Sequence, residues 1–527
     1  MTTAAWTWQN VPSEGYYSEV LATAFMADGH PVVAGYEQGP TNDEDFIAFK
    51  LDALDGTILW EWKNGSDNEE MDRWTAAAAG DNGAVLLAGY TDGDWARNGT
   101  GRDFAVAMVS SEGYVVWRWQ NGTSGSDTAT SVASTSDGGV VLGGYSQYAL
   151  GGLTRYDFTV VKLDVYGEML WQWTDGSSSN DEGKSISVAP DGTIVLAGST
   201  IGNWNGTNAG SKDFAVTKLD ADGNEMWRWQ DGTSVDDILY GSVVHNDGTI
   251  TVSGTTYGSY AGESMGGFDF VVIQLDADGN VVWHWQNGTE VHDRILSSAA
   301  GAEEGSFIVG GSTFGNWSAG NKGAEDLVAL KFNGSLDNEW DWQNGTAKRD
   351  AIFGVASRED GRVIFAGVTY GSFGRLRGDA QREAIAVMLQ EGDYESTRPP
   401  TFAPTPASSS ILATPSPSIS STMHSDSPTI MSSSAPTSEY SPSPSIATTS
   451  PSPMVMTSSA STPNAATQPT AQTGSTSSPQ ATISQDGSGG GDSDTDGAII
   501  GGAVAAAVIV VAVGAYAGYR MRRRAVA

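Results

Sequence analysis

Seven short stretches, each holding two tryptophans separated by one residue, constrain this chain more than any other feature. They are Trp6-Thr7-Trp8, Trp60-Glu61-Trp62, Trp117-Arg118-Trp119, Trp171-Gln172-Trp173, Trp227-Arg228-Trp229, Trp283-His284-Trp285 and Trp340-Asp341-Trp342. They take 14 of the 18 tryptophans, and their first members are spaced by 54, 57, 54, 56, 56 and 57 residues. Alternate residues of a β-strand point to the same face, so each stretch puts both indoles on one side of a strand. A strand that recurs at so regular a spacing marks a repeat protein.

The text between tryptophan pairs supplies the rest of the unit. SISVAPDGTIVLAGST from Ser185, a Gly- and Asn-rich stretch, and DFAVTKLDADGNEMWRWQ from Asp213 read as four strands. Asp191-Gly192 and Asp222-Gly223 join the first and last pairs as tight hairpins, because glycine tolerates positive φ. A glycine recurs late in the second strand, at Gly35, Gly89, Gly144, Gly198, Gly254, Gly311 and Gly367. It predicts a point of close backbone approach, which strands converging on a central axis would supply.

Four antiparallel strands in each of seven units predict an all-β fold, a seven-bladed β-propeller occupying residues 1–395. The seventh unit stops after its third strand, at Ala384 to Leu389, while an unattached Trp-x-Trp strand sits at residues 4–10. The N-terminal strand is therefore expected to complete the last blade and close the ring.

Residues 396–497 change character to Ser, Thr, Pro and Ala, a composition that cannot bury enough apolar surface to offset chain entropy. A disordered, mucin-like stalk is the expectation, with a reach of up to roughly 300 Å. Ala498 to Tyr519 are 22 residues without a charge, followed by Arg520, Arg522, Arg523 and Arg524. The length suits one transmembrane helix at 498–519 and the arginines a short cytoplasmic tail at 520–527. Gly514 and Gly518 form a G-x-x-x-G spacing that could pair two such helices.

The first ten residues hold no apolar stretch of signal-peptide length. Two topologies follow: a surface protein whose upstream coding region is missing, or a tail-anchored protein with a cytosolic head. Asn64, Asn98, Asn121, Asn205, Asn287, Asn316, Asn333 and Asn344 each precede Ser or Thr at the second position. These glycosylation sequons and the stalk favour a plasma-membrane protein with an extracellular N-terminal domain.

Charge and cysteine content exclude several classes. Residues 1–395 hold 57 of the 63 acids and 22 of the 27 bases, a net charge near −35 that would repel nucleic acid and anionic membrane surfaces. With no cysteine there are no disulfides, thiolate metal sites or thiol nucleophiles. The five histidines occupy no common repeat position and show no metal spacing. The Asp-x-Asp-Gly-Asn segments at 220–224 and 276–280 begin like a calcium loop but lack its downstream glutamate and flanking helices, and they read as turns. Aspartates that recur before the third strand and after the Gly-Thr tail read as acceptors for turn amides. No catalytic residue, metal site or cofactor is expected.

The run DFAVTKLDADGNEMWRWQDGTSVDD, together with Val-x-x-Ala-Gly-Tyr-Thr-like text, resembles the SBBP-type β-propeller repeat. The resemblance covers residues 4–395 and implies a propeller, often on secreted or surface proteins, with no catalytic residues. The Trp-x-Trp strand departs from that family's pattern. Lys218-Leu219-Asp220 followed by Trp227 is also similar to pyrroloquinoline-quinone-type propellers, which need a quinone pocket with calcium ligands.

In a four-stranded blade the long second-to-third loop and the link to the next blade emerge on one face. Aromatics in or beside the former, Trp95, Tyr148, Trp204, Tyr260, Trp317 and Phe373, are the candidate ligand contacts, since recognition usually resides on loops held by a rigid scaffold. The expectation is a single-pass, membrane-anchored surface protein whose propeller is a binding or adhesion module for an extracellular glycan or protein. A quinoprotein-like or other propeller enzyme and a structural cell-coat component are the alternatives.

Overall fold

The computed structural model describes residues 4–390 except 11, 13–15, 40–42, 67–69, 98, 100, 151–152 and 374–381. The expected stalk, membrane span and tail lie outside the described residues. Among those described, no helix is long and apolar enough to cross a membrane.

The described chain forms seven four-stranded antiparallel sheets. Blades I to VI span 17–64, 72–121, 127–175, 181–231, 237–287 and 293–344, each with its strands in sequence order. Blade IV, for example, consists of Asp181–Val188, Ile194–Thr200, Asp213–Leu219 and Glu225–Asp231. Blade VII takes three strands from 350–390, and its fourth is Trp6–Gln9 from the N-terminus, in register Trp6 to Met388 and Trp8 to Ala386. The first strand of each blade packs on the first strand of the next, and that of blade VII packs on Tyr17–Phe25 of blade I. The ring is thus closed, with first strands innermost and Trp-x-Trp strands outermost: a seven-bladed β-propeller.

The core is seven apolar layers, one between each pair of neighbouring blades, and every layer contains one Trp-x-Trp pair. Trp6, Trp60, Trp117 and Trp227 also donate their indole N–H, at 2.9–3.1 Å, to Ala53, Ser111, Val165 and Ala277 carbonyls in the third-to-fourth turn of the following blade. The turn glycine lies under the ring: Gly56 has φ +73, and a Cβ there would come within 2.8 Å of Trp6. In blade VI the left-handed position falls to Leu336, φ 65, whose side chain joins the layer that holds Trp283.

The recurrent second-strand glycine has a cause other than convergence on the axis. In all seven blades the first strand carries a β-bulge, for example between Val20 and Ala22, and the glycine pairs beside it. A Cβ on Gly144 would lie 2.0 Å from the Thr128 carbonyl oxygen, so the bulged backbone leaves no room for a side chain.

Candidate functional site

The expected loop aromatics turn inward. Trp95 and Trp204 are buried, and Tyr260, Trp317 and Phe373 also pack into the interblade layers. Trp95 donates to Asn64 Oδ1 at 2.8 Å, Trp204 to Asp175 Oδ2 at 3.1 Å and Tyr260 to Asp231 Oδ2 at 3.0 Å. Each acceptor ends the outer strand of the preceding blade, so these rings act as pegs between blades rather than as loop tips. Tyr148 stays within its own blade, 3.5 Å from Thr174 Oγ1. The physical reason is the size of the ring: an indole next to an open interblade seam gains more by burial than by exposure.

A glutamine that sequence reasoning passed over holds these loops. Gln120 Oε1 accepts the backbone N–H of Trp95 and Ala96, while its Nε2 donates to Gly93 O and Asp103 Oδ2. Gln230, Gln286 and Gln343 repeat the arrangement on Trp204, Tyr260 and Trp317. Gln9 does so on Phe373, pairing with Glu383 where the others have Asp. The readable signal was a Gln directly after Trp-x-Trp in five units.

The recurrent aspartates accept turn amides. Asp72, Asp127, Asp237, Asp293 and Asp350 each accept the backbone N–H and hydroxyl of the Ser or Thr in the preceding tail, as does Asp181. Burial pushes the carboxyls of Asp181 and Asp237 up to about 6, helped by the nearby charges of Asp157 and Asp213 and opposed by the hydroxyl and amide donors. At Asp220 and Asp276 the carboxylates accept the amides of their own turns, 2.8 Å from Asn224 N and Asn280 N, which is hairpin chemistry.

Of the sequons, Asn64, Asn205 and Asn316 are exposed, and Asn121, Asn287, Asn333 and Asn344 are half-buried. Asn98 lies outside the described residues.

The surface where the blades meet a common space is the axis. The bulge turns one residue per blade out of its ladder, at Leu21, Thr75, Thr130, Lys184, Tyr240, Leu296 and Phe353, and all seven are part-exposed. Thr75 and Thr130 reach round the ring to the Ala129 and Gly183 carbonyls of the next inner strand. One arc is apolar, from Tyr240 through Leu296 and Phe353 to Leu21; the other is polar and carries Lys184.

Above this ring, on the face of the second-to-third loops, bases gather in an otherwise acidic propeller. Arg73 pairs with Glu44 and covers the Tyr36 ring at 4.2 Å; Arg102 pairs with Asp92 over Tyr90 at 4.0 Å. Lys184 and Lys212 share Glu182, Arg349 pairs with Glu325, and Arg382 with Glu19. Between blades V and VI the pattern changes to aromatics. Tyr257, Phe268 and His292 lie 5.1–6.1 Å apart by ring centroids, Phe314 is 6.1 Å from His292, and Arg294 lies 5.4 Å from the Phe268 ring. A cleft of about 40 Å³ beside Asp127 and Asn121 has space for a water or two but not an organic ligand.

Fold and mouth together define a seven-bladed propeller with a built axial surface. No family model matches the chain. The regulatory protein FlaEY of Caulobacter vibrioides is 28% identical over 137 residues, 24% of this chain and 14% of that protein. The chain thus spans about one seventh of that relative. Among solved structures, the Neurospora crassa Pan2 WD40 domain aligns over 73% of this chain and 94% of its own at 12% identity and a TM-score of 0.44. Sqt1 of Chaetomium thermophilum covers 73% and 100% at 11% identity and 0.39, and the quinohemoprotein alcohol dehydrogenase of Comamonas testosteroni 76% and 78% at 12% and 0.38.

Proposed function

We propose that this chain is a single-pass, membrane-anchored surface protein whose propeller head is a binding or adhesion module for an extracellular ligand. The observation that carries the binding reading is the axial mouth, where side chains from seven blades converge on one space and do not repeat from blade to blade. Packing layers repeat because every interface must bury the same seam. A surface that breaks the repeat is free of that demand, and recognition is the use propellers make of such freedom. Anchoring rests on the uncharged 498–519 run followed by arginines, and the outward orientation on the sequons in the head.

The test is topology in cells. Glycosidase treatment is expected to shift the mobility of the full chain, and protease on intact cells to remove the head while leaving the tail protected. An unshifted band together with an uncut head would overturn the surface assignment in favour of a cytosolic head.

A further inference from the structure

We infer that the mouth sector between blades V and VI, formed by Tyr257, Phe268, His292, Arg294 and Phe314, binds an organic anion whose carboxylate or sulfate adjoins a flat carbon face, as in an acidic saccharide. This deepens the binding-module reading and rests on it.

The repeat supplies its own control. Directly after the second strand, blades II and IV carry Asp92 and Ile201, and the equivalent place inside the longer strand of blade III is Gln147, whereas blades V, VI and VII carry Tyr257, Phe314 and Tyr370. Directly before the third strand, Arg102 and Lys212 stand where blade V has Phe268, and the equivalent place inside the longer strand of blade III holds Tyr156. Directly before the first strand, Met71, Ser126, Asn180 and Asp236 precede His292. The backbone at these positions is the same throughout: Tyr257 N donates to Asp236 O and Phe314 N to His292 O, as Asp92 N does to Met71 O and Ile201 N to Asn180 O. The fold therefore accepts non-aromatic residues at each point, and although single rings recur there in blades III and VII, packing alone does not call for aromatic rings at all three points of one sector.

Those rings are accessible. Tyr257 is 45% exposed, and Phe268, His292 and Phe314 are part-exposed. His292 is oriented by its Nδ1, which accepts the Phe268 backbone N–H at 3.1 Å.

Arg294 supplies the charge. The other six mouth cations lie within 4 Å of a carboxylate, whereas Arg294 lies over the Phe268 ring, with Tyr240 also in reach of its charge, and has no carboxylate at that distance among the described residues. Among the described arginines only Arg118, over the Trp95 ring on the outer wall, shares this lack of a carboxylate within 4 Å; Arg294 differs in standing at the mouth beside a cluster of accessible rings, where an anion from outside the chain can reach both. A guanidinium fork matches planar, bidentate oxyanions, and the adjoining ring faces take the flat carbon face of the same ligand.

The test uses the purified full chain in detergent and short oligosaccharides of equal length: an oligogalacturonate for the carboxylate arm, a sulfated galactan fragment for the sulfate arm, and a neutral galactan fragment. Calorimetry is expected to show binding of at least one acidic probe and little of the neutral one. Arg294→Gln is expected to weaken that binding about tenfold or more, Phe314→Leu severalfold with the apolar volume largely kept, and Arg118→Gln on the outer wall not at all. Failure of the wild-type chain to bind either acidic probe, or equal binding by Arg294→Gln and Phe314→Leu, overturns the assignment. Retention of the neutral probe unaffected by either substitution overturns it while leaving the binding-module reading intact.

Discussion

Acidification should stabilise the propeller through two buried carboxyls, the reverse of the usual effect of protonating carboxylates that are stabilised by salt bridges. Asp181 and Asp237 have folded-state values of about 6 against an ordinary 3.8, with burial the largest cause. A group raised on folding contributes stability that is complete below its unfolded value and lost as pH rises through its folded value. The window is therefore from about pH 4 to above pH 6. The full shift corresponds to about 3 kcal/mol for each group at 1.36 kcal/mol per pH unit, of which about 1.4 kcal/mol is realised on going from pH 8 to pH 5. For the pair this is about 3 kcal/mol. At about 2.1 cal/mol/K per residue over roughly 390 residues, it amounts to a melting shift of about 3–4 °C. Melting the full chain at pH 8, 6.5 and 5, beside the Asp181→Asn/Asp237→Asn double variant, isolates the effect, because other titrations cancel in the difference. Asn keeps an acceptor for the Ser177 and Thr233 amides and removes the titration. The wild type should gain those degrees relative to the variant on acidification; parallel profiles would refute the argument.

Three further outcomes follow from packing. Removing residues 1–10 strips the outer partner from Glu383–Gln390 and the burial of Trp6 and Trp8, and should lower the melting temperature by roughly ten degrees or cause aggregation, as followed by scanning calorimetry and light scattering. Trp95→Ala and Trp204→Ala should each cost about 3–5 kcal/mol of stability, read by denaturant unfolding; unchanged midpoints would show that the rings are not pegs. Gly144→Ala should cost at least about 1–3 kcal/mol, because its methyl would meet the Thr128 carbonyl, whereas Gly262→Ala, with its nearest atom at 4.0 Å, should change little.

Repeat number, strand count, hairpin turns and ring closure were legible because each is written locally, as Trp-x-Trp, Asp-Gly and one strand misplaced to the N-terminus. Which way a side chain turns across a seam was not. Trp95 and Trp204 sit in polar, glycine-rich text that reads as an exposed loop, and only the neighbouring blade's Asn64 and Asp175 make it a buried one. Gly144 signalled crowding correctly, but the bulge that causes it is a matter of register between strands. The mouth sector was harder still. Tyr257, Phe268 and His292 are scattered over 36 positions and stand out only when equivalent places in other blades are set side by side.

The strand exchange in blade VII also determines how the propeller would bear a pull on its C-terminal strand. In an unbroken blade the last strand before the C-terminal segment would be the outermost one, bonded along a single edge and free to peel bond by bond. Here that segment leaves from Glu383–Gln390, which is zipped on one side to Arg362–Thr369 and on the other to Trp6–Gln9. Tension along the C-terminal segment has to open two ladders at once, with the indoles of Trp6 and Trp8 wedged against blade I as a stop. Trp6–Gln9 is the outer jaw of a grip on Glu383–Gln390.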